Sequence, residues 1–113
     1  MRLDLIAVGR RAPDWISAGV DEFATRMPRH LPLSVRAVSA GDARRSGDVE
    51  RARNQEADAL LGATGEARVI ALDEGGRSWH TRDLANYLDD AMQQGRDLAF
   101  LIGGADGLHP RCL

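Results

Sequence analysis

The sequence predicts a single α/β domain with a mostly parallel sheet flanked by helices. Four short apolar runs alternate with three amphipathic segments, and glycine or proline separates most of them. Alternation of this kind is typical of parallel sheets, since each parallel connection needs a crossover segment, usually a helix. The 113 residues, 43% apolar and 28% charged, are enough for one core without disulfides or structural metals.

The first strand and helix are predicted before residue 30. Residues 2–8 are largely apolar and end at Gly9, which indicates a buried strand. Pro13 and the acid after it are typical of a helix start, and Pro28 is predicted to end the helix. The apolar residues of this helix recur on one face: Ile16, Val20, Phe23 and Met27.

The next elements are a strand near an edge of the sheet, a loop and a helix. Residues 31–38 alternate apolar and polar positions around a proline, which favours an edge strand. Residues 39–47 have the composition of an exposed loop. A largely solvated helix is predicted from Asp48 to Leu61, ending at Gly62. Its weak apolar face contains four residues: Val49, Ala52, Ala59 and Leu60.

The second half repeats the pattern of strand and helix. Residues 67–72 form a buried-strand run that ends near Leu72. Thr81 is predicted to cap a helix that ends at Gly95. Residues 97–102 form the fourth strand, which leads into a glycine-rich loop. The apolar stripe of the helix is Leu84, Leu88 and Ala91 or Met92.

Two glycine-rich strand ends are the candidate ligand site, at residues 72–76 and 102–107. Ligands of parallel sheets bind beyond the carboxyl ends of the strands, and glycine lets backbone approach them closely. Ordinary tight turns remain the alternative. Neither a G-x-G-x-x-G fingerprint nor a G-K-[ST] loop is present, which argues against a dinucleotide enzyme and a P-loop NTPase. Three acids here are candidates for a ribose contact or a base, or are exposed turn residues: Asp73, Glu74 and Asp106.

Other polar and aromatic residues predict little chemistry. The histidines lack metal-site spacing and are interpreted as surface or capping residues: His30, His80 and His109. Trp15 and Trp79 are predicted to pack in the core rather than stack on bases. Cys112 is the only cysteine, which favours a reducing, cytoplasmic setting. The longest uncharged stretch, Leu98–Ala105, is too short for a membrane span, and the N-terminus does not resemble a signal peptide.

Four segments carry a resemblance to a known family: Leu5–Gly9, Pro13–Trp15, Ile70–Asp73 and Leu101–Leu108. On these segments, and over its whole length, the chain resembles the RlmH (YbeA) family of the SPOUT, or α/β-knot, superfamily. The resemblance implies a cytoplasmic homodimer that uses S-adenosyl-L-methionine (SAM), without a metal. Its implied substrate is N3 of a pseudouridine in the 23S rRNA of the ribosome.

The resemblance also implies the site. The cofactor-binding residues of the family match Leu72, Gly103 and Gly104 in this sequence. Ala105 replaces a proline that many relatives have, and Asp106 stands where relatives often have glutamate. The resemblance names no proton acceptor, and the catalytic residue stays unknown; Asp106 is a candidate for it.

Relatives continue for several tens of residues, which form a last strand, a second cofactor loop, the knot and a tail near the RNA. We therefore expect the chain as written to lack the knot and to have little or no activity. We also expect apolar residues near the fourth strand, such as Phe100 or Ile102, to be uncovered.

Two alternatives from other classes stay open. The first is a non-catalytic RNA-binding, ribosome-binding or dimerisation module. Residues 1–53 hold ten arginines against seven acids, and these arginines contact phosphates or form a solvated face. The candidate phosphate contacts among them are Arg26, Arg29, Arg36, Arg44, Arg45, Arg51 and Arg53. The second alternative is a flavodoxin-like nucleotide binder.

Overall fold

A computed structural model describes residues 1–9 and 12–113, and it confirms the α/β class with helices flanking an all-parallel sheet. Short 3₁₀ helices at Asp42–Ser46 and Pro110–Cys112 add to the predicted elements. The main elements of the described ranges are β1 (Leu3–Val8), α1 (Asp14–Ala24), β2 (Leu33–Val38), α2 (Val49–Ala63), β3 (Arg68–Leu72), α3 (Thr81–Gln94) and β4 (Leu98–Ile102).

The four strands lie in the order β2-β1-β4-β3 and are all parallel. The central strands β1 and β4 contain most of the buried positions. The edge position predicted for β2 is confirmed. The fully buried character predicted for β3 is wrong, because β3 is the other edge strand and none of its residues is fully buried. An apolar run indicates a strand but does not say where in the sheet the strand lies.

Helix α2 covers one face of the sheet and packs against Ile6 and Leu101. Asp48 is its N-cap, since the Asp48 carboxylate accepts a hydrogen bond of 3.1 Å from the Arg51 backbone N–H. The helix continues one residue past Gly62, so the predicted end is slightly early. The predicted apolar face is wrong in part, because Val49 and Ala59 are exposed. The buried residues are Ala52, Glu56, Ala57 and Leu60.

The opposite face of the sheet carries α3 and a second, looser core. Ala91 of α3 packs there with Leu3 and Leu98. The helix ends at Gly95 as predicted, but its N-cap is His80 rather than Thr81. At the helix start, the Asp83 carboxylate accepts the His80 backbone N–H at 2.9 Å, so the residue that Asp83 caps is His80.

Helix α1 contributes no buried residue to either core. It ends at Ala24, before the predicted stop at Pro28. The core packing predicted for the tryptophans is wrong, since Trp15 is 78% exposed and Trp79 is 43% exposed. Trp79 instead packs against Tyr87 near the surface, with ring centroids 5.3 Å apart. Within the described ranges, no helix combines the length and apolar character that a membrane crossing requires.

Candidate functional site

The two glycine-rich strand ends lie side by side at one edge of the sheet. β3 and β4 are hydrogen-bonded neighbours, and their register pairs Leu72 with Ile102. Because the strands are parallel, β3 and β4 both end at the same end of the sheet. The turn at residues 73–76 and the glycine loop, defined as residues 103–107, therefore face each other. The sequence predicts both as candidate ligand loops, and the strand order makes them neighbours.

A cleft of about 600 Å³ lies between the turn and the glycine loop. Its size is within the range of small-molecule pockets. Leu72 and Gly103, two of the predicted cofactor residues, line it, whereas Gly104 does not. The remaining lining residues are Arg53, Asp73, Glu74, Gly75, Ile102, Ala105, Asp106, Gly107, Leu108, Pro110 and Leu113.

Glycines set the path of the loop. A Cβ on Gly103 would lie 2.6 Å from the carbonyl carbon of Gly107, so no side chain fits there. Gly107 has a positive φ of 77° and donates its backbone N–H to the Gly104 carbonyl at 3.0 Å. This closed turn leaves one side of the loop facing the cleft. The other side, at Gly104, faces Val8 and the side chains of Arg44 and Glu56.

Two of the three acids at the strand ends have structural partners. The Asp73 carboxylate accepts the Gly75 backbone N–H at 3.0 Å, which confirms the turn interpretation for Asp73. Glu74 is exposed beside it. Asp106 is ion-paired with Arg44, on the 3₁₀ helix that precedes α2. All three acids nevertheless lie on the cleft wall.

Arg44 and Glu56 form the main charged contact next to the site. Arg44 Nε and Nη2 donate to the two Glu56 carboxylate oxygens at 2.7 and 2.8 Å. Glu56 is only 3% exposed, and it also accepts the Gly41 backbone N–H at 2.8 Å. The hydrogen bonds from Arg44 lower the pKa of Glu56, and those from Glu56 and Asp106 raise the pKa of Arg44.

Sequence reasoning missed the buried carboxylate. A signal was present, because Ala52, Glu56 and Leu60 follow one another at four-residue spacing on the buried face of α2. A lone acid between small or apolar residues on one helix face indicates a buried group that needs a partner.

Arg53 lies on α2, three residues before Glu56, and lines the cleft. Its Nη2 donates to the Leu108 carbonyl at 2.7 Å, and its Nη1 donates to Glu50 at 2.7 Å. The Arg53 Nε is buried and has no hydrogen-bond partner among the described residues.

Several arginines of the first half are paired with acids of the same chain. Four of the seven candidate RNA contacts form ion pairs with acids of the chain: Arg26, Arg36, Arg44 and Arg53.

The capping interpretation is confirmed for His80 and for His109, whose Nδ1 accepts the Arg111 backbone N–H at 3.1 Å. Cys112 is buried, and burial raises the pKa of its thiol. Residues 1–9 and 12–113 contain no cluster of three or more metal-ligating side chains.

A second cleft of about 580 Å³ lies on the α3 face. Leu72, which is 49% exposed, and Asp73 line both clefts. The walls are apolar residues of the strands and α3, including Leu5, Ile70 and Phe100. Ile102 is exposed, as expected, while Phe100 is half-buried.

Residues 1–113 match the model of a protein family described as "Predicted SPOUT methyltransferase". The chain belongs to the SPOUT methyltransferase family. Methyl transfer is therefore its class of reaction, and SPOUT methyltransferases typically use SAM. The four parallel strands and flanking helices are consistent with the SPOUT fold.

Proposed function

We propose that the protein is a SAM-dependent methyltransferase and that SAM binds between the turn at residues 73–76 and the glycine loop. The observation that carries the proposal is the convergence of Leu72 and Gly103 on one cleft at the carboxyl ends of β3 and β4. The sequence resemblance implies both residues as cofactor contacts, and membership of the SPOUT methyltransferase family supports methyl transfer.

The chemistry of the cleft fits the chemistry of SAM. Leu72 and Ile102 offer apolar surface for an adenine ring. Asp73 and Glu74 offer acceptors for ribose hydroxyls or the amino group. The guanidinium of Arg53, which lines the cleft, offers a positive charge for the carboxylate.

The chain contributes binding and orientation. When bound, SAM supplies an electrophilic methyl group on a sulfonium. Leu72 and the glycine loop would hold the cofactor from two sides, and the rigid ends of β3 and β4 fix their spacing. Holding donor and acceptor in a reactive geometry supplies much of the rate enhancement in such a transfer.

We propose ribosomal RNA as the substrate, with methylation at N3 of a pseudouridine in 23S rRNA. The four RlmH-like segments support this choice, and a ribosomal substrate would place the protein in the cytoplasm. N3 must lose its proton to give a neutral product. Mass spectrometry of 23S rRNA from a strain lacking the intact gene should show the methyl group missing, and the restored gene should return it. An unchanged modification would contradict the substrate.

Cofactor binding has a direct test by NMR titration, which detects even millimolar affinity. SAM should shift the amide signals of residues 72–76 and 103–107, whereas flavin mononucleotide should not. Leu72→Arg should weaken binding by about tenfold or more, because the side chain would block the cleft and repel the sulfonium.

Val35→Arg is the matched control for Leu72→Arg. Both residues are apolar, lie on edge strands and are similarly exposed, at 45% for Val35 and 49% for Leu72. The control should bind SAM normally. Equal effects of the two changes, or signal shifts confined to other residues, would contradict a site between the two loops.

We propose a homodimer as the working form. The support is apolar surface that this chain leaves uncovered, above all Trp15 and Phe23 on α1, which are 78% and 67% exposed. Sedimentation equilibrium should give twice the mass of one chain, and Trp15→Glu should return the protein to a monomer. A wild-type monomer at micromolar concentration would contradict the dimer.

A further inference from the structure

One guanidinium joins three separate segments of the chain. Arg44 lies on the 3₁₀ helix Asp42–Ser46, Glu56 lies on α2 and Asp106 lies in the glycine loop. Arg44 uses Nε and Nη2 for Glu56 and Nη1 for Asp106. Because a guanidinium is planar, the two contacts to Glu56 determine the direction in which Nη1 points.

The inner end of this network is rigid. Glu56 is nearly inaccessible to solvent and receives three hydrogen bonds, two from Arg44 and one from Gly41. Gly41 itself sits against α2, where a Cβ would lie 2.4 Å from the Ala52 carbonyl oxygen. The 3₁₀ segment therefore cannot move away from α2 without leaving a buried carboxylate unpaired.

The outer end of the network supports the glycine loop. A Cβ on Gly104 would lie 3.3 Å from Glu56 Oε1 and 3.4 Å from Arg44 Nη2. The inner side of the loop thus rests on the Arg44–Glu56 pair while Asp106 is held by the same guanidinium. Gly103 and Asp106 line the cleft, so the same loop contacts the Arg44–Glu56 pair on one side and the cleft on the other.

We propose that Arg44 is a positioning residue of the cofactor site, which holds the glycine loop in its binding conformation through Asp106. This inference rests on the proposed function. Asp106 then acts as the loop's anchor rather than as the proton acceptor, because its carboxylate is engaged by Arg44. A glutamate at this position keeps the charge and should keep the anchor.

The test compares Asp106→Asn, Asp106→Glu and Arg44→Lys in the full chain. Asp106 is exposed, so Asp106→Asn should fold normally. Amide hydrogen exchange of residues 103–107 without ligand should become about tenfold faster in Asp106→Asn and Arg44→Lys. SAM affinity should fall about tenfold in the same two variants and stay within about twofold in Asp106→Glu.

Arg26→Gln is the control, because it removes an exposed ion pair with Glu22 on α1 and leaves the loop untouched. It should change neither the exchange nor the SAM affinity. Unchanged loop exchange in Asp106→Asn would overturn the inference, and so would faster exchange with unchanged SAM affinity. If the wild-type chain binds no SAM, the proposed function fails, and loop exchange alone then decides whether Arg44 positions the loop.

Discussion

The two faces of the sheet are built differently. On the α2 face, Ile6, Leu60 and Leu101 are almost completely inaccessible and pack into one core. On the α3 face, the strand residues Phe100 and Ile70 are only half-buried and border an apolar cleft of about 580 Å³. Helix α1 does not complete the second face, because none of its residues is buried.

The well-packed α2 face contributes mainly to stability, and the candidate binding site lies outside its core. The α2 face contributes most of the close packing, and buried apolar area is the main favourable term in folding. The candidate cofactor site lies at the rim of the sheet but is tied to the α2 face through Glu56 and Arg44. A well-packed helix therefore supports a loop whose own residues are mostly exposed.

The largest expected contrast is between two leucines on the two faces. Leu60→Ala should lower the free energy of unfolding by about 3 kcal/mol, since Leu60 is 1% exposed and a cavity would remain. Leu84→Ala should cost less than about 1 kcal/mol, because Leu84 is 37% exposed at the open cleft. Urea denaturation measures both values. Similar losses would show that the faces are equally packed.

A second contrast concerns charge. Glu56→Ala should lower the free energy of unfolding by about 3 kcal/mol, because it leaves Arg44 and the Gly41 N–H without their buried acceptor. Glu22→Ala removes an exposed pair with Arg26 and should cost less than about 0.5 kcal/mol. Equal small effects in urea denaturation would mean that the Arg44–Glu56 pair does not stabilise the α2 face.

The same carboxylate predicts a pH dependence. The pKa of Glu56 is lower in the folded chain than its ordinary value, mainly because Arg44 donates to it. This stabilisation is complete above the unfolded-state pKa of about 4.3 and is lost as the pH falls through the lower folded pKa. Acidification from pH 7 to pH 2 should therefore destabilise wild type more than Glu56→Gln, as measured by urea denaturation at each pH. Parallel stability curves would contradict the lowered pKa.

The smallest expected effect is on α1. Trp15→Ser should change the free energy of unfolding of the monomer by less than about 0.5 kcal/mol, because Trp15 is 78% exposed. The measurement is urea denaturation at low protein concentration, where a dimer would not contribute. A loss of several kcal/mol under these conditions would mean that α1 packs on the open face within a single chain.

The elements themselves were determined largely by local sequence. Short apolar runs predicted the four strands, and Asp48 and Gly95 marked a helix start and a helix end. These signals are local because backbone capping and side-chain periodicity involve residues within one or two turns. The position of both glycine-rich loops at the carboxyl ends of strands was also predictable, because each follows an apolar run directly in the sequence.

Tertiary structure decided which residues are buried and which charges meet. Trp15 and the α2 stripe were predicted incorrectly because burial depends on which distant element covers a face. Arg44 is 62 residues from Asp106, so their ion pair has no local signature. The candidate site likewise depends on β3 lying beside β4, a choice of strand order that periodicity does not encode. A sequence specifies such contacts only through the summed free energy of the whole packed chain.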